Sequence, residues 1–263
     1  MLASDFTIAL LIHLHAWEIL LLSVGLCIGI GIGGLLLTRR LFPHLSEGEN
    51  NVVATVMATA VATIFAVLAG FIVVTLYTTS ENATQATHQE TGALLNVYRE
   101  STAMSFELAT TIQADVLSYS KLVATDEFPA MARGGSSRQA EDAASQIFTD
   151  LSAFQPTNQA QSDLMQEALG QYDTFLQARR ARLALAESSL PGMLWLSILT
   201  SAGLTIAFSW FFGQDRLRAQ LFMTGGVAAI VGIMIFLIVV LNHPFTGDYS
   251  VSSLPFTEIL RSG

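Results

Sequence analysis

A single cysteine, Cys27, stands in a chain of 263 residues, so no disulfide framework holds it together or reports its compartment. Charge is scarce too: Asp, Glu, Lys and Arg make up 13% of the residues against 52% hydrophobic ones. What charge there is leans acidic, with a formal net charge of −9, which argues against nucleic acid or an anionic lipid surface as a partner. Catalytic signatures are missing. The sequence has no phosphate-cradling loop with Lys, no Gly-x-Ser-x-Gly, no His-Glu-x-x-His and no paired Cys ligands. His13, His15, His44, His88 and His243 are scattered among ends and loops, and His88 with Glu90 is too little for a metal site. The expectation is a protein that is not an enzyme and carries no cofactor or metal.

What is present is long apolar runs. Charges avoid Trp17 to Leu37, Asn51 to Thr79, Pro191 to Gly213 and Leu221 to Leu241, apart from Glu18 at the edge of the first. Each is long enough to cross a hydrocarbon core of roughly 30 Å as a helix. The first lacks a basic leading region and an A-x-A cleavage site, so it reads as a retained helix. Leu2 to Leu14, with His13 and His15, either lies in the interface or lengthens the first helix.

The second run carries Ala54, Ala58, Ala62, Ala66 and Gly70 at every fourth residue. Small residues along one face let helix backbones approach closely in lipid. Gly25, Gly29 and Gly33 repeat that spacing in the first run, which makes it the expected partner of the second. Beside the ladder runs a column of Thr55, Thr59 and Thr63, whose hydroxyls can bond back to their own helix, reach another helix or face water in a pore.

Between the second and third runs, residues 80–190 hold seven basic residues against fourteen acidic ones, and so seven of the nine net negative charges. Apolar residues there repeat at spacings of three and four, as in Ile112, Val116, Tyr119, Val123 and in Leu164, Ala168, Tyr172, Phe175. Breaks fall at Phe128-Pro129, at Arg133 to Ser137 and at Gln155 to Asn158. This predicts a long helical arm, a short helix near Gln139–Phe154 and a returning arm, packed as an antiparallel bundle. The fold class is therefore all-α: residues 1–79 with two spans, an acidic helical domain at 80–190 outside the membrane, two more spans in 191–242, and a tail at 243–263.

Arg39 and Arg40 lie in one short link and Arg216 and Arg218 in the other, which places both links in the cytoplasm and residues 80–190 on the far side, as in a bacterial inner membrane protein. Arg179, Arg180 and Arg182 come close to the third span. They either concentrate anions at a pore mouth or pair with acidic residues of the neighbouring arm, such as Glu81 or Glu90.

Several short motifs together resemble a family. They are Phe-Ala-Val-Leu-Ala-Gly-Phe at 65–71, Glu90 with Tyr98-Arg99, Glu-Phe-Pro-Ala-Met at 127–131, Leu190-Pro191 with Trp195, and Pro-Phe-Thr-Gly-Asp at 244–248. From about Glu49 to Phe256 the sequence is similar to the four-span bestrophin-like domain proteins, and through them to bestrophins, pentameric anion channels whose second span lines the pore. The resemblance marks Glu90, Arg99, Glu127, Pro129, Pro244, Phe245 and Asp248 as motif positions. It implies an oligomeric anion channel, with Thr55, Thr59, Thr63 or Ile64, Phe65, Leu68 and Phe71 lining the narrow part, and a homo-oligomer or membrane complex in the lipid bilayer. The acidic run that holds calcium in animal bestrophins is reduced to Asp248, so no calcium site is carried over. A second reading is a non-conducting scaffold, sensor or accessory subunit whose helical domain binds a partner.

Overall fold

The structure, a computed structural model, describes residues 2–41, 51–211 and 217–262. Glu49, His44, Arg216 and the side chains of Ala54 and Thr55 lie outside the described residues. Among the described residues the chain is all-helical. Its helices are α1 (Leu2–His13), α2 (Ala16–Leu41), α3 (Asn51–Ser101), α4 (Phe106–Leu122), α5 (Phe128–Met131), α6 (Arg138–Ser152), α7 (Gln159–Glu187), α8 (Gly192–Ser209), α9 (Leu217–Leu241) and α10 (Leu254–Ser262). A π-helical turn, Val123–Glu127, joins α4 to α5. Four helices, α2, α3, α8 and α9, are long and apolar enough to cross a membrane.

The chain forms two compact units, Met1–Thr78 with Ser189–Asn242, and Thr79–Ser188 with His243–Gly263. In the first, α2 lies along α9 at backbone distance. A Cβ on Gly232 would stand 2.7 Å from the Cα of Val24, so glycine is what lets the two backbones meet. Trp210 lies on Gly34, where a Cβ would collide with its ring, and donates its indole N–H to the Gly31 carbonyl at 2.9 Å. Gly25, Gly29 and Gly33 have no atom near enough for a Cβ to touch. The expected pairing of that ladder with α3 is thus replaced by a seam that uses the offset glycines 31 and 34, because α9 brings its own small residues, Ala228 and Gly232, to that face. From α3, the stripe Phe65, Ala69, Ile72 and Leu76 is buried with Ile198, Ala202 and Ile206 of α8 and with Ala228, Val231 and Ile238 of α9.

The second unit departs from the expected single arm. The helix leaving the second span ends at Ser101 and a new one starts at Phe106. The Ser101 hydroxyl donates to the Tyr98 carbonyl at 2.7 Å and Thr102 to that of Arg99 at 2.6 Å, back-bonds that compete with the helix ladder in a run of small and polar residues. At Phe128-Pro129 the reverse happens. Instead of breaking, the helix widens: Phe128 N–H reaches back five residues to the Val123 carbonyl, and one more α-turn follows before Gly134 adopts φ 78°. α6 and α7 start at side-chain caps, with Ser137 accepting from the Ala140 N–H and Asn158 from the Gln161 N–H. Their apolar faces, Ala140, Ala144, Ile147 and Leu151 on one and Ala168, Tyr172 and Phe175 on the other, share one core with Ile112, Val116 and Tyr119 of α4, Leu94 and Val97 of α3 and Phe256 of α10.

Candidate functional site

Three apolar stripes in the second unit carry charge along the same helical period. On α7 the buried series Ala168, Tyr172, Phe175 continues to Arg179 and Arg182; on α4 Ile112, Val116, Tyr119, Val123 continues to Glu127; on α3 Ala83, Thr87 continues through Glu90 to Leu94 and Val97. Spacings of three and four put each charge on the face that packs inward. Two carboxylates and two guanidiniums therefore meet inside the bundle.

Arg182 is fully buried. Its Nε donates to Glu90 Oε2 at 2.6 Å and its Nη2 to Glu90 Oε1 at 2.9 Å, a bidentate fork, while Nη2 also donates to Glu127 Oε2 at 2.6 Å. Nη1 lies 2.8 Å from the Met131 sulfur. The guanidinium plane is flanked by the rings of Phe128 at 5.4 Å and Phe256 at 5.6 Å. Arg179 completes the network, with Nη2 donating to Glu127 Oε1 at 2.6 Å and Nη1 lying 3.8 Å from the exposed Glu141. The Tyr119 hydroxyl donates to Glu90 Oε1 at 2.5 Å.

Burial works to strip the proton from Arg182, but the charge and hydrogen bonds of Glu90 and the charge of Glu127 outweigh it and hold the guanidinium above its ordinary pKa. Tyr119 is pushed well up by burial and then by the Glu90 charge, so its O–H stays a donor. The cluster is balanced in charge and shut off from solvent. Such a network resists the loss of any one member, because the remaining charge is left uncompensated.

The three arginines, read from the sequence as a pore mouth or as partners of acids on the neighbouring arm, are thus divided. Arg179 and Arg182 sit in the bundle interior on carboxylates, and Arg180 is exposed. Of the motif positions, Glu90 and Glu127 meet at Arg182, and Phe245 packs edge-on to Phe128 at 5.7 Å with Pro244 buried beside it. Thr246 donates its hydroxyl to the Ala132 carbonyl at 3.0 Å, and Gly247 takes φ 87°, which folds the segment after α9 back upon α5. Arg99, Pro129 and Asp248 are exposed and outside the network. Burial pulls His243 down to about 4, which keeps it neutral.

On α3, Phe65 is turned into the packing of its own chain at 4% exposure and Leu68 is half-buried, whereas Ile64 is 63% and Phe71 70% exposed. Thr59 and Thr63 are also on the open side, and Thr63 donates to the Thr59 carbonyl at 2.8 Å. A groove of about 450 Å³ opens beside Ala58, Ala62, Ala66 and Thr59, with Thr205 and Ser209 of α8 on its other wall. Ala66 and Gly70 are exposed and Ala62 is half-buried.

Tyr119, Phe128, Met131 and Phe256 belong to the network although charge patterning alone does not reveal them. Their signal was the apolar stripe itself, followed one turn further to where it meets a charge. Among the described residues no group of three or more His, Cys, Asp or Glu is placed to hold a metal ion.

The family model described as the Bestrophin-like domain matches residues 25–256. Among solved structures, the chain is similar to the crystal structure of a membrane protein, with a TM-score of 0.68 at 12% identity over 92% of this chain and 96% of that one. It is similar, too, to a variant of a bacterial bestrophin homolog from Klebsiella pneumoniae, with a TM-score of 0.68 at 14% identity over 94% of this chain and 98% of that one. At these identities the likeness is one of fold. Comparison with curated proteins finds no match.

Proposed function

This chain belongs to the bestrophin-like domain family, and from that premise we propose that it is one subunit of an oligomeric membrane pore for anions. The observation that carries the reading is the two-sidedness of α3: one stripe, Phe65 to Leu76, is spent on its own chain, while Thr59, Thr63, Ile64 and Phe71 face outward on a helix without a charge from Asn51 to Ser80. Repeated around an axis, such columns line a pore of hydroxyl rings and an apolar constriction. Thr55 extends the column by sequence spacing. Residues 80–190 lie outside the cytoplasm in this reading, opposite the links that carry Arg39, Arg40 and Arg218.

One observation favours the competing reading, a non-conducting scaffold or accessory subunit: two of the three arginines that would gather anions are consumed by Glu90 and Glu127. Arg180 alone of the three remains exposed for that role. Planar-bilayer recordings of the purified oligomer in chloride separate the two. A chloride current that falls on Thr63→Val or Phe71→Ala supports the pore; a silent bilayer from a verified ring of subunits refutes it.

A further inference from the structure

The second unit has a cavity that the arginine network does not use. Where α3 stops at Ser101 and α6 turns into α7, a cleft of about 570 Å³ opens between the start of α4, the last turn of α6 and the loop before α7. That volume suits a small molecule. Met104, Leu108 and Phe154 supply an apolar wall, and Glu107 and Asp150 supply two charges. Glu107 is exposed at the rim, whereas Asp150 is half-buried and held in place by the Gln146 amide, which donates to Oδ2 at 2.8 Å.

No cation of the chain answers these charges. Residues 100–120 and 145–170, which build this end of the unit, hold Glu100, Glu107, Asp115, Asp150, Asp163 and Glu167 and no Lys, Arg or His. Arg99, at the edge, is exposed and forms no ion pair with any of these acids. Glu100 Oε2 and Asp115 Oδ2 are shut off from solvent without a hydrogen-bond donor among the described residues. α6 ends at the cleft with no basic residue in its last turn, so the partial negative charge of its C-terminus adds to the field of the carboxylates. A cation is the complement of such a cleft.

The lining narrows the choice. A ligand that carried its own carboxylate would meet like charge, since even the first turn of α4 presents Glu107, and this excludes amino acids. A bare metal ion would leave the apolar wall unused, and among the described residues no group of three or more His, Cys, Asp or Glu is placed to hold one. We propose that the cleft binds a small aliphatic diamine, with its ammonium groups on Glu107 and Asp150 and its hydrocarbon chain on Met104, Leu108 and Phe154. The site lies within the helical unit and holds whether or not the chain conducts.

Calorimetric titration of the full-length protein in detergent with 1,5-diaminopentane, at constant ionic strength, tests this. One diamine should bind per chain with a Kd below about 1 mM, weakened about tenfold in E107Q and in D150N and unchanged in E81Q, whose acid lies outside the cleft. Uncharged 1,5-pentanediol should not bind. Should D150N fail to fold, E107Q decides, because Glu107 is exposed at the rim. No saturable heat up to about 10 mM diamine, or equal affinity in E107Q and the native chain, overturns the site. Equal binding of pentanediol overturns it as well, and so does displacement of the diamine by calcium at about 1 mM, because the carboxylates would then serve a metal ion.

Discussion

Arg182 shows how one residue's type follows from its position. A lysine there could reach one carboxylate as a point charge, whereas the guanidinium satisfies both oxygens of Glu90 and one of Glu127 while its faces rest on Phe128 and Phe256. Replacing Arg182 by Met leaves Glu90 and Glu127 buried with less compensation, and chemical or thermal unfolding should show a loss of about 3–5 kcal/mol. Arg180→Gln, two residues away in the sequence yet exposed, should change stability by no more than about 0.5 kcal/mol. Equal losses in the two variants would contradict the buried network. The position of Arg182 was legible in the stripe of α7, since it follows Phe175 and Arg179 on one face; its partners were not, because spacing on one helix says nothing about which helix lies opposite.

Among elements, the seam between α2 and α9 rests on glycine. A methyl at Gly232 meets the backbone of Val24, which cannot retreat as a side chain can, so Gly232→Ala should lower the thermal midpoint in detergent, with overpacking that costs about 1–3 kcal/mol. At Gly29, an added methyl meets open space. Gly29→Ala should be neutral or gain up to about 1 kcal/mol from helix propensity. A loss at Gly29 as large as that at Gly232 would show that the open ladder of α2, and not the α2–α9 seam, bears the packing. The ladder glycines 25, 29 and 33 are four residues apart and the seam glycines 31 and 34 three, both helical spacings, and the partner's small residues distinguished them. The turn at Ser101–Ser105 was missed for a related reason: Ser and Thr support helix or turn depending on whether their hydroxyls bond to their own carbonyls, as Ser101 and Thr102 do here.

For the whole molecule, orientation follows from the arginines of the short links. With residues 80–190 outside the cytoplasm, a cysteine at Ser136 in a Cys27→Ser background should react with an impermeant thiol reagent on intact cells. Ser136 follows Gly134 and Gly135 and is exposed in the loop before α6, so folding does not hide it. Labelling that requires lysis would reverse the topology and place the helical unit in the cytoplasm. Either result leaves the internal charge network of that unit intact.

By itself the sequence determined that the chain is helical and that four runs are apolar enough to span, because helical period and hydrocarbon thickness are properties of one segment at a time. Tertiary structure decided which charges would be solvated. In the sequence Arg179 and Arg182 read either as a cationic mouth or as ion-pair partners of an acid such as Glu90; the structure puts them on Glu90 and Glu127, distant in sequence, in one interior. Once water is excluded from that interior the carboxylates become the guanidiniums' hydrogen-bond partners, and the charge that looked available to an anion holds helices together instead.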